Sequence, residues 1–354
     1  MHKVPACMLK LAKGASNHKR WAVLLIIFKF MSFFSVMVYW RLTQDEKAKS
    51  WGYRFPTEVK CPPLPPTSNS IWPPPLSKDI YFVETSERTN PSFLFMCSVE
   101  SAARAHPESR IFIFMKGLAN HSVTLPKHLG ISLLSCFPNI ELKPLDLNDL
   151  FSDTPLAGWY LLAQHRWEPY FLPILSDACR LAIMWKFGGI YLDTDFIVLK
   201  NLNNLTNVLG TQSEYILNGA FLSFEPRHKF IELCIQDYVS DYNRWLWGHQ
   251  GPQLLTRNFK RWCSIRSLRS SKSCRGVTAL PREAFYPIRW QDWRKYFETV
   301  NASELPMQFK DTYAVHVWNA RSKEKQHVLS SETLLAQLQS SYCPSTYLLR
   351  KLSS

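Results

Sequence analysis

The chain has 354 residues, of which 46% are hydrophobic and 14% aromatic, far too apolar for a disordered protein. Its 42 Lys and Arg against 28 Asp and Glu give a net charge of +14, but residues 1–41 hold seven of the basic residues and no acid, leaving +7 for the rest. No basic run is interleaved with a nucleic-acid-binding motif, so nucleic acid is excluded as a partner and a mildly basic, soluble surface remains.

Lys3, Lys10, Lys13, Lys19 and Arg20 precede an apolar run from Trp21 to Trp40 that contains a single charge, Lys29. Such a run is long enough to cross a bilayer as a helix, with Lys29 as a snorkelling residue. It lacks the short core and small-residue cleavage site of a signal peptide. The positive-inside rule makes residues 1–20 a cytoplasmic tail and 21–40 a transmembrane signal-anchor. Everything beyond then lies across the membrane, a type II topology. Residues 41–78 contain eight of the 23 prolines, a composition that favours extended polyproline conformations and reads as a lumenal stem. Residues 79–354 suffice for a large folded domain.

That domain opens on a buried-strand pattern at Ile80–Val83, a helical stretch around Phe93–His106 and a second apolar strand at Ile111–Met115. A third unit lies at Ile140–Leu145. A helix from about Pro173 to Phe187 stops at Gly188-Gly189 and feeds a strand at Ile190–Leu192. Strand, helix, strand at this spacing predicts an α/β domain with a mainly parallel sheet.

The last strand runs into Asp193-Thr-Asp195. Read as the strand's C-terminal end, the two acids point to one face, where open parallel sheets bind ligands. Two acids in an apolar segment need a cation, and hard divalent ions carrying phosphate fit carboxylate oxygens. Upstream, Asp177 and Arg180 sit three residues apart on one helical face, among apolar neighbours.

Of the nine cysteines, Cys7 precedes the span and reads as a free thiol. The other eight (61, 97, 136, 179, 234, 263, 274 and 343) fall on the lumenal side, where disulfides persist. Eight allow 105 pairings; Cys263 and Cys274, flanking a short Arg/Ser-rich segment, are the one pair singled out. No C-x-x-C is present, which argues against zinc. Asn120, Asn204 and Asn301 head glycosylation sequons.

Ser176-Asp-x-x-Arg180 followed by Phe187-Gly-Gly-Ile-Tyr-Leu-Asp-Thr-Asp195 resembles the core of the Asp-x-Asp glycosyltransferases with a GT-A fold. With Asn90–Ala103, Trp247–Thr256 and Tyr313–Asn319 the chain resembles the DXD-containing α-1,4-glycosyltransferase family along nearly its whole length. The resemblance implies a GT-A-like nucleotide-sugar-binding domain and retaining transfer of galactose from UDP-galactose to lactosylceramide, in α-1,4 linkage. It implies a Golgi membrane location and Mn²⁺ held by Asp193 and Asp195. It implies donor contacts from Asp177, Arg180 and Tyr191, and a C-terminal histidine, His316, completing the metal shell. A lone histidine on the apolar run Val315-His-Val-Trp318 is otherwise an ordinary core residue. Beside the catalytic Asp193 and Asp195, His249 or Gln250 is the candidate to face the anomeric carbon from the Trp247–Gln253 turn. Trp159-Tyr160 and Trp167-Glu-Pro-Tyr170 offer faces for acceptor sugars, with core packing favoured for most. Partners on this reading are UDP-galactose, lactosylceramide, the Golgi membrane and, in a homo-oligomer, a second copy. Two rivals stand beside it: an α-1,4-N-acetylglucosaminyltransferase, separated only by pocket shape near the sugar's C2, and a non-catalytic lumenal glycan-binding or chaperone protein, which the intact acids disfavour.

Overall fold

The computed structural model describes Cys61 and residues 77–118, 125, 128–269, 272–327 and 329–353. The cytoplasmic tail, the signal-anchor, nearly all of the stem and the Asn120 sequon lie outside the described residues. Among the described residues no helix is long and apolar enough to cross a membrane.

Strands β1 (Ile80–Glu84), β2 (Ile111–Met115), β3 (Ile140–Pro144) and β4 (Gly189–Leu192) form the parallel half of an eight-stranded sheet. The rest comprises β6 (Val208–Ser213), β7 (Ile216–Phe224), β8 (Ser273–Cys274) and β9 (Val277–Leu280). The order is β3-β2-β1-β4-β7-β6-β9-β8. Parallel pairing joins β3, β2, β1 and β4 in turn, and β6 to β9. The expected mainly parallel sheet is therefore broken where β7 pairs antiparallel with both β4 and β6. A second, two-stranded antiparallel sheet pairs β5 (Phe196–Val198) with β10 (Ala314–His316).

Alternation along the strands fills two cores. In β1, Ile80 and Phe82 face one and Tyr81 and Val83 the other. Helix α1 (Phe93–Ala105) covers the first face with Leu94, Val99 and Ala102. Helix α2 (Phe171–Lys186) covers the second with Ile174, Leu175, Ala178 and Ile183. Covered on both faces, β1, β2 and β4 have to be continuous apolar runs, which made them legible, whereas the edge strand β3 carries Glu141 and Lys143. Helix α2 stops as expected: Gly188 and Gly189 have φ of +65° and +85°. A Cβ at Gly189 would lie 2.5 Å from the Asp79 carbonyl, so no other residue turns the chain into β4 there.

Disulfides Cys61–Cys136, Cys97–Cys343 and Cys263–Cys274 form, the last being the pair singled out above; Cys179 and Cys234 are buried and free. Beside Cys97, the fully buried Glu100 accepts hydrogen bonds from Arg104 (2.8 Å) and from the backbone N–H groups of Ser345 (3.0 Å) and Thr346 (2.7 Å). These ties dock the C-terminal helix α6 (Pro344–Ser353) on α1.

Candidate active site

The two acids are not on a strand. β4 stops at Leu192 and β5 starts at Phe196, and Asp193-Thr-Asp195 is the turn between them. Asp193 N–H still donates to Ala220 O in β7 (2.8 Å), while Phe196 N–H donates back to Asp193 O (3.4 Å) and closes the turn. The chain leaves the large sheet here because β5 pairs with β10. The turn, and not strand alternation, brings the carboxylates together.

That pairing also delivers His316. The register sets Ala314 against Val198, Val315 against Ile197 and His316 against Phe196, and Val317 N–H donates to Asp195 O (2.8 Å). His316 thus arrives beside the turn, its Nε2 3.2 Å from Asp195 Oδ1. One ligand atom from each of Asp193, Asp195 and His316 lies within 4.8 Å of the others. Two carboxylates and an imidazole make a donor set that suits a borderline-hard cation such as Mn²⁺. Asp193 Oδ1 takes Arg180 and Tyr191, which leaves Oδ2 with no hydrogen-bond partner among the described residues. The residues fit a metal ion.

Each ligand is fixed from behind. Asp195 Oδ2 accepts from the backbone N–H of Asn319 (2.8 Å). Burial alone would push the Asp195 carboxyl upward, but His316 and that N–H outweigh it and hold the group below its usual range. Trp318 backbone N–H donates to His316 Nδ1 (3.3 Å), which leaves Nε2 turned toward Asp195. Trp318 itself has left-handed backbone, φ 56° and ψ 53°, and its indole N–H donates to Ile288 O (2.8 Å). Strain of this kind costs of order 1–3 kcal/mol in a non-glycine residue and gathers at functional sites.

Behind the turn stands α2. Arg180 Nη1 is 3.2 Å from Asp177 Oδ1, and Nη2 is 3.0 Å from Asp193 Oδ1. Burial works against the Arg180 charge, but Asp193, Tyr191 and Asp177 more than offset it. Asp177 is pushed up to about 6 by burial, with Arg180 opposing and Asp193 adding to the rise. Tyr191 is buried, and its hydroxyl donates to Asp193 Oδ1 (2.7 Å). It stands behind Asp193 and has no exposed face of its own.

The fourth part is an irregular turn, His249–Gln253, wound as a single π-helical turn ahead of α4 (Leu254–Trp262). Such turns recur at functional sites. A Cβ at Gly251 would sit 2.6 Å from both Asp177 carboxyl oxygens, so glycine alone lets this backbone lie against the acid.

Residues 92–215 match the glycosyltransferase sugar-binding region containing DXD motif, and residues 223–349 match the alpha 1,4-glycosyltransferase conserved region. Human lactosylceramide 4-alpha-galactosyltransferase is 61% identical over 348 residues, 98% of each chain. The chain belongs to the alpha 1,4-glycosyltransferase family. The rat protein of the same description is 58% identical over 98% of this chain and 95% of its own. Human alpha-1,4-N-acetylglucosaminyltransferase is 40% identical over 276 residues, 76% of this chain and 80% of its own. A solved structure of the galactosyltransferase LgtC with donor and acceptor sugar analogs is 16% identical, with a TM-score of 0.36 over 67% of this chain and 86% of that one.

In this glycosyltransferase the Asp177, Arg180, Tyr191, Asp193, Asp195 and His316 side chains form one connected cluster. Gln250 stands apart. It is buried, its Oε1 accepts from Asn243 N–H (3.2 Å) and its Nε2 donates to Tyr238 O (2.7 Å). Its amide thus holds the turn in shape. His249 Nε2 lies 3.0 Å from Asp241 O. Trp159 and Tyr160 pack in the core, whereas Trp167 is exposed. Asn204 and Asn301 are exposed; Asn301 caps a short turn by accepting from Ser303 N–H (3.2 Å).

Three contributors escape a reading of the sequence. The Asn319 donor is a backbone group and leaves no signature. Gly251 acts by lacking a side chain. Tyr286, fully buried against His316 with ring centroids 5.6 Å apart, looks like any core aromatic.

Proposed function

We propose that the chain is a retaining galactosyltransferase that moves galactose from UDP-galactose to lactosylceramide in α-1,4 linkage. The carrying observation is end-to-end identity near 60% with proteins described as lactosylceramide 4-alpha-galactosyltransferase, over a chain whose Asp193, Asp195 and His316 converge. The lower identity to the N-acetylglucosaminyltransferase favours galactose as the donor sugar.

Asp193, Asp195 and His316 would hold Mn²⁺, which when bound neutralises charge developing on the UDP leaving group. Arg180 and Tyr191 orient Asp193 from behind, and Asn319 N–H orients Asp195. Asp177, which lies against Arg180 and Gly251, would contact donor-sugar hydroxyls. A type II Golgi location is supported by the basic tail ahead of the apolar run, and by three disulfides, which persist in oxidising compartments. Protease added to intact microsomes should spare residues beyond 41.

The test incubates the purified full-length chain with Mn²⁺, lactosylceramide and each UDP-sugar separately. Product formed from UDP-galactose and cleaved by an α-galactosidase is expected. Transfer from UDP-N-acetylglucosamine alone would sink the reading.

A further inference from the structure

The helix Leu156–Ala163 carries no charged side chain, and its only polar handles, on Trp159 and Tyr160, belong to buried residues. Leu156, Trp159, Tyr160 and Ala163 are buried, which leaves Leu161 and Leu162 each 58% exposed. A helix that is apolar all round belongs in a core or against lipid. Next to it stand three exposed tryptophans: Trp167 (76%), Trp245 (58%) and Trp247 (58%). The rings of Trp167 and Trp245 are 6.1 Å apart, and Trp247 packs edge-on to Tyr170 at 5.4 Å.

Two grooves beside the helix share Arg166 and Tyr242. One groove runs past Leu162, Arg166 and Tyr242, and a second past Arg166, Tyr242, Arg244 and Trp245. Its frame is firm: Tyr242 donates to Glu168, and Trp159 packs edge-on against Tyr238 (5.1 Å) and Tyr242 (5.6 Å). Glu168 is the one acid lining either groove, and it is buried. Arg166 and Arg244 therefore leave the rim cationic, with the Arg244 guanidinium 4.8 Å from the Trp245 ring centroid.

We propose that this ridge docks on a phospholipid bilayer, and we rest the proposal on the reading above that the acceptor is a membrane glycolipid. Tryptophan and tyrosine settle at the headgroup level, leucines dip below it, and guanidinium groups pair with phosphate in a fork. The position is suited to the task. Trp247 runs directly into Gly248 and the turn whose Gly251 lies against Asp177. Docking the ridge sets the mouth of the active site at the membrane surface, where a lactose headgroup stands on its ceramide.

The test uses the full-length chain in nanodiscs of phosphatidylcholine and phosphatidylserine, with lactosylceramide in the disc or methyl β-lactoside in solution. Replacing Trp245→Ser with Leu162→Ser, or Arg166→Gln with Arg244→Gln, should lower transfer to embedded lactosylceramide at least about tenfold. Transfer to the soluble lactoside should stay at the wild-type level. Equal losses on both acceptors would mean that the ridge binds sugar, and no loss on either would mean that it binds nothing; each overturns the proposal. The arginine pair lies on the rim and keeps the test open if the tryptophan variant fails to fold. Fluorescence quenching by brominated phosphatidylcholine needs no turnover: wild type should be quenched more than Trp245→Phe with Trp247→Phe, and equal quenching overturns the docking. A wild type that transfers to neither acceptor removes the catalytic reading and leaves the quenching to judge the surface.

Discussion

Arg180 ties Asp177 to Asp193, with one guanidinium nitrogen 3.2 Å from the first acid and the other 3.0 Å from the second. The three groups come from a helix and from the turn beyond a strand. The arginine therefore sets the spacing between Asp177 and Asp193.

Removing that cation leaves two acids facing each other in a desolvated space. Arg180→Met should cost about 3–5 kcal/mol, the usual penalty for breaking a buried ion pair. For a domain of this size that lowers the melting temperature by roughly 5–9 °C. Arg180→Lys keeps the charge but loses the fork, and should fall between the two. An unchanged melting curve for Arg180→Met would show that the acids do not depend on it.

Metal binding is separable from turnover. Added Mn²⁺ should raise the melting temperature of the wild-type chain by mass action, because the converging ligands exist only in the folded state. Asp193→Asn and Asp195→Asn should each abolish that rise and cut transfer at least about 100-fold. A full Mn²⁺ shift in either variant would remove that residue from the ligand set.

Asp177 makes the stability of the metal-free chain depend on pH in a definite direction. Its folded pKa is raised to about 6 from 3.8. The stability it contributes is fully present below its unfolded value and is lost as pH rises through about 6. In EDTA, the melting temperature of wild type relative to Asp177→Asn should decline from pH 4 to pH 6.5. A difference that grows over this window would mean that Arg180 dominates over burial.

Gly251→Ala tests the close approach of the turn to the acid. The added methyl would lie 2.6 Å from both oxygens of Asp177, so either the turn or the carboxylate moves. Overpacking of this kind costs about 1–3 kcal/mol. Transfer should fall while the Mn²⁺-induced stabilisation is kept, since the metal ligands are elsewhere. Parallel loss of both would place the turn in the metal site.

The Cys97–Cys343 bond joins residues 246 apart, across nearly the whole folded domain. Replacing both cysteines with serine should cost about 4–5 kcal/mol through the freed unfolded chain. Reductant should then have a smaller effect on the variant's melting temperature than on wild type's. Identical sensitivity would mean that another bond carries the stabilisation.

Continuous apolar runs marked β1, β2 and β4 because strands covered on both faces tolerate nothing else, and Gly188-Gly189 marked the end of α2 because only glycine adopts that backbone readily. Asp177 and Arg180 were legible as a helical pair, and Asp193 with Asp195 as acids needing a cation. Local spacing goes no further. That the acids lie on a turn follows from β5 leaving for β10, a pairing between segments over a hundred residues apart. The same register brings His316, an ordinary core histidine by sequence, to Asp195. Gln250 shows the converse: its position in the chain suggested chemistry, and the fold engages its amide with the backbone of Tyr238, on a helix, and of Asn243. Residue types and short-range periodicity thus determined the elements and the cation-demanding acids. Which groups share a site was decided by long-range strand pairing, since pairing energy depends on register and contact between distant segments, and neither is written in any local stretch of the chain.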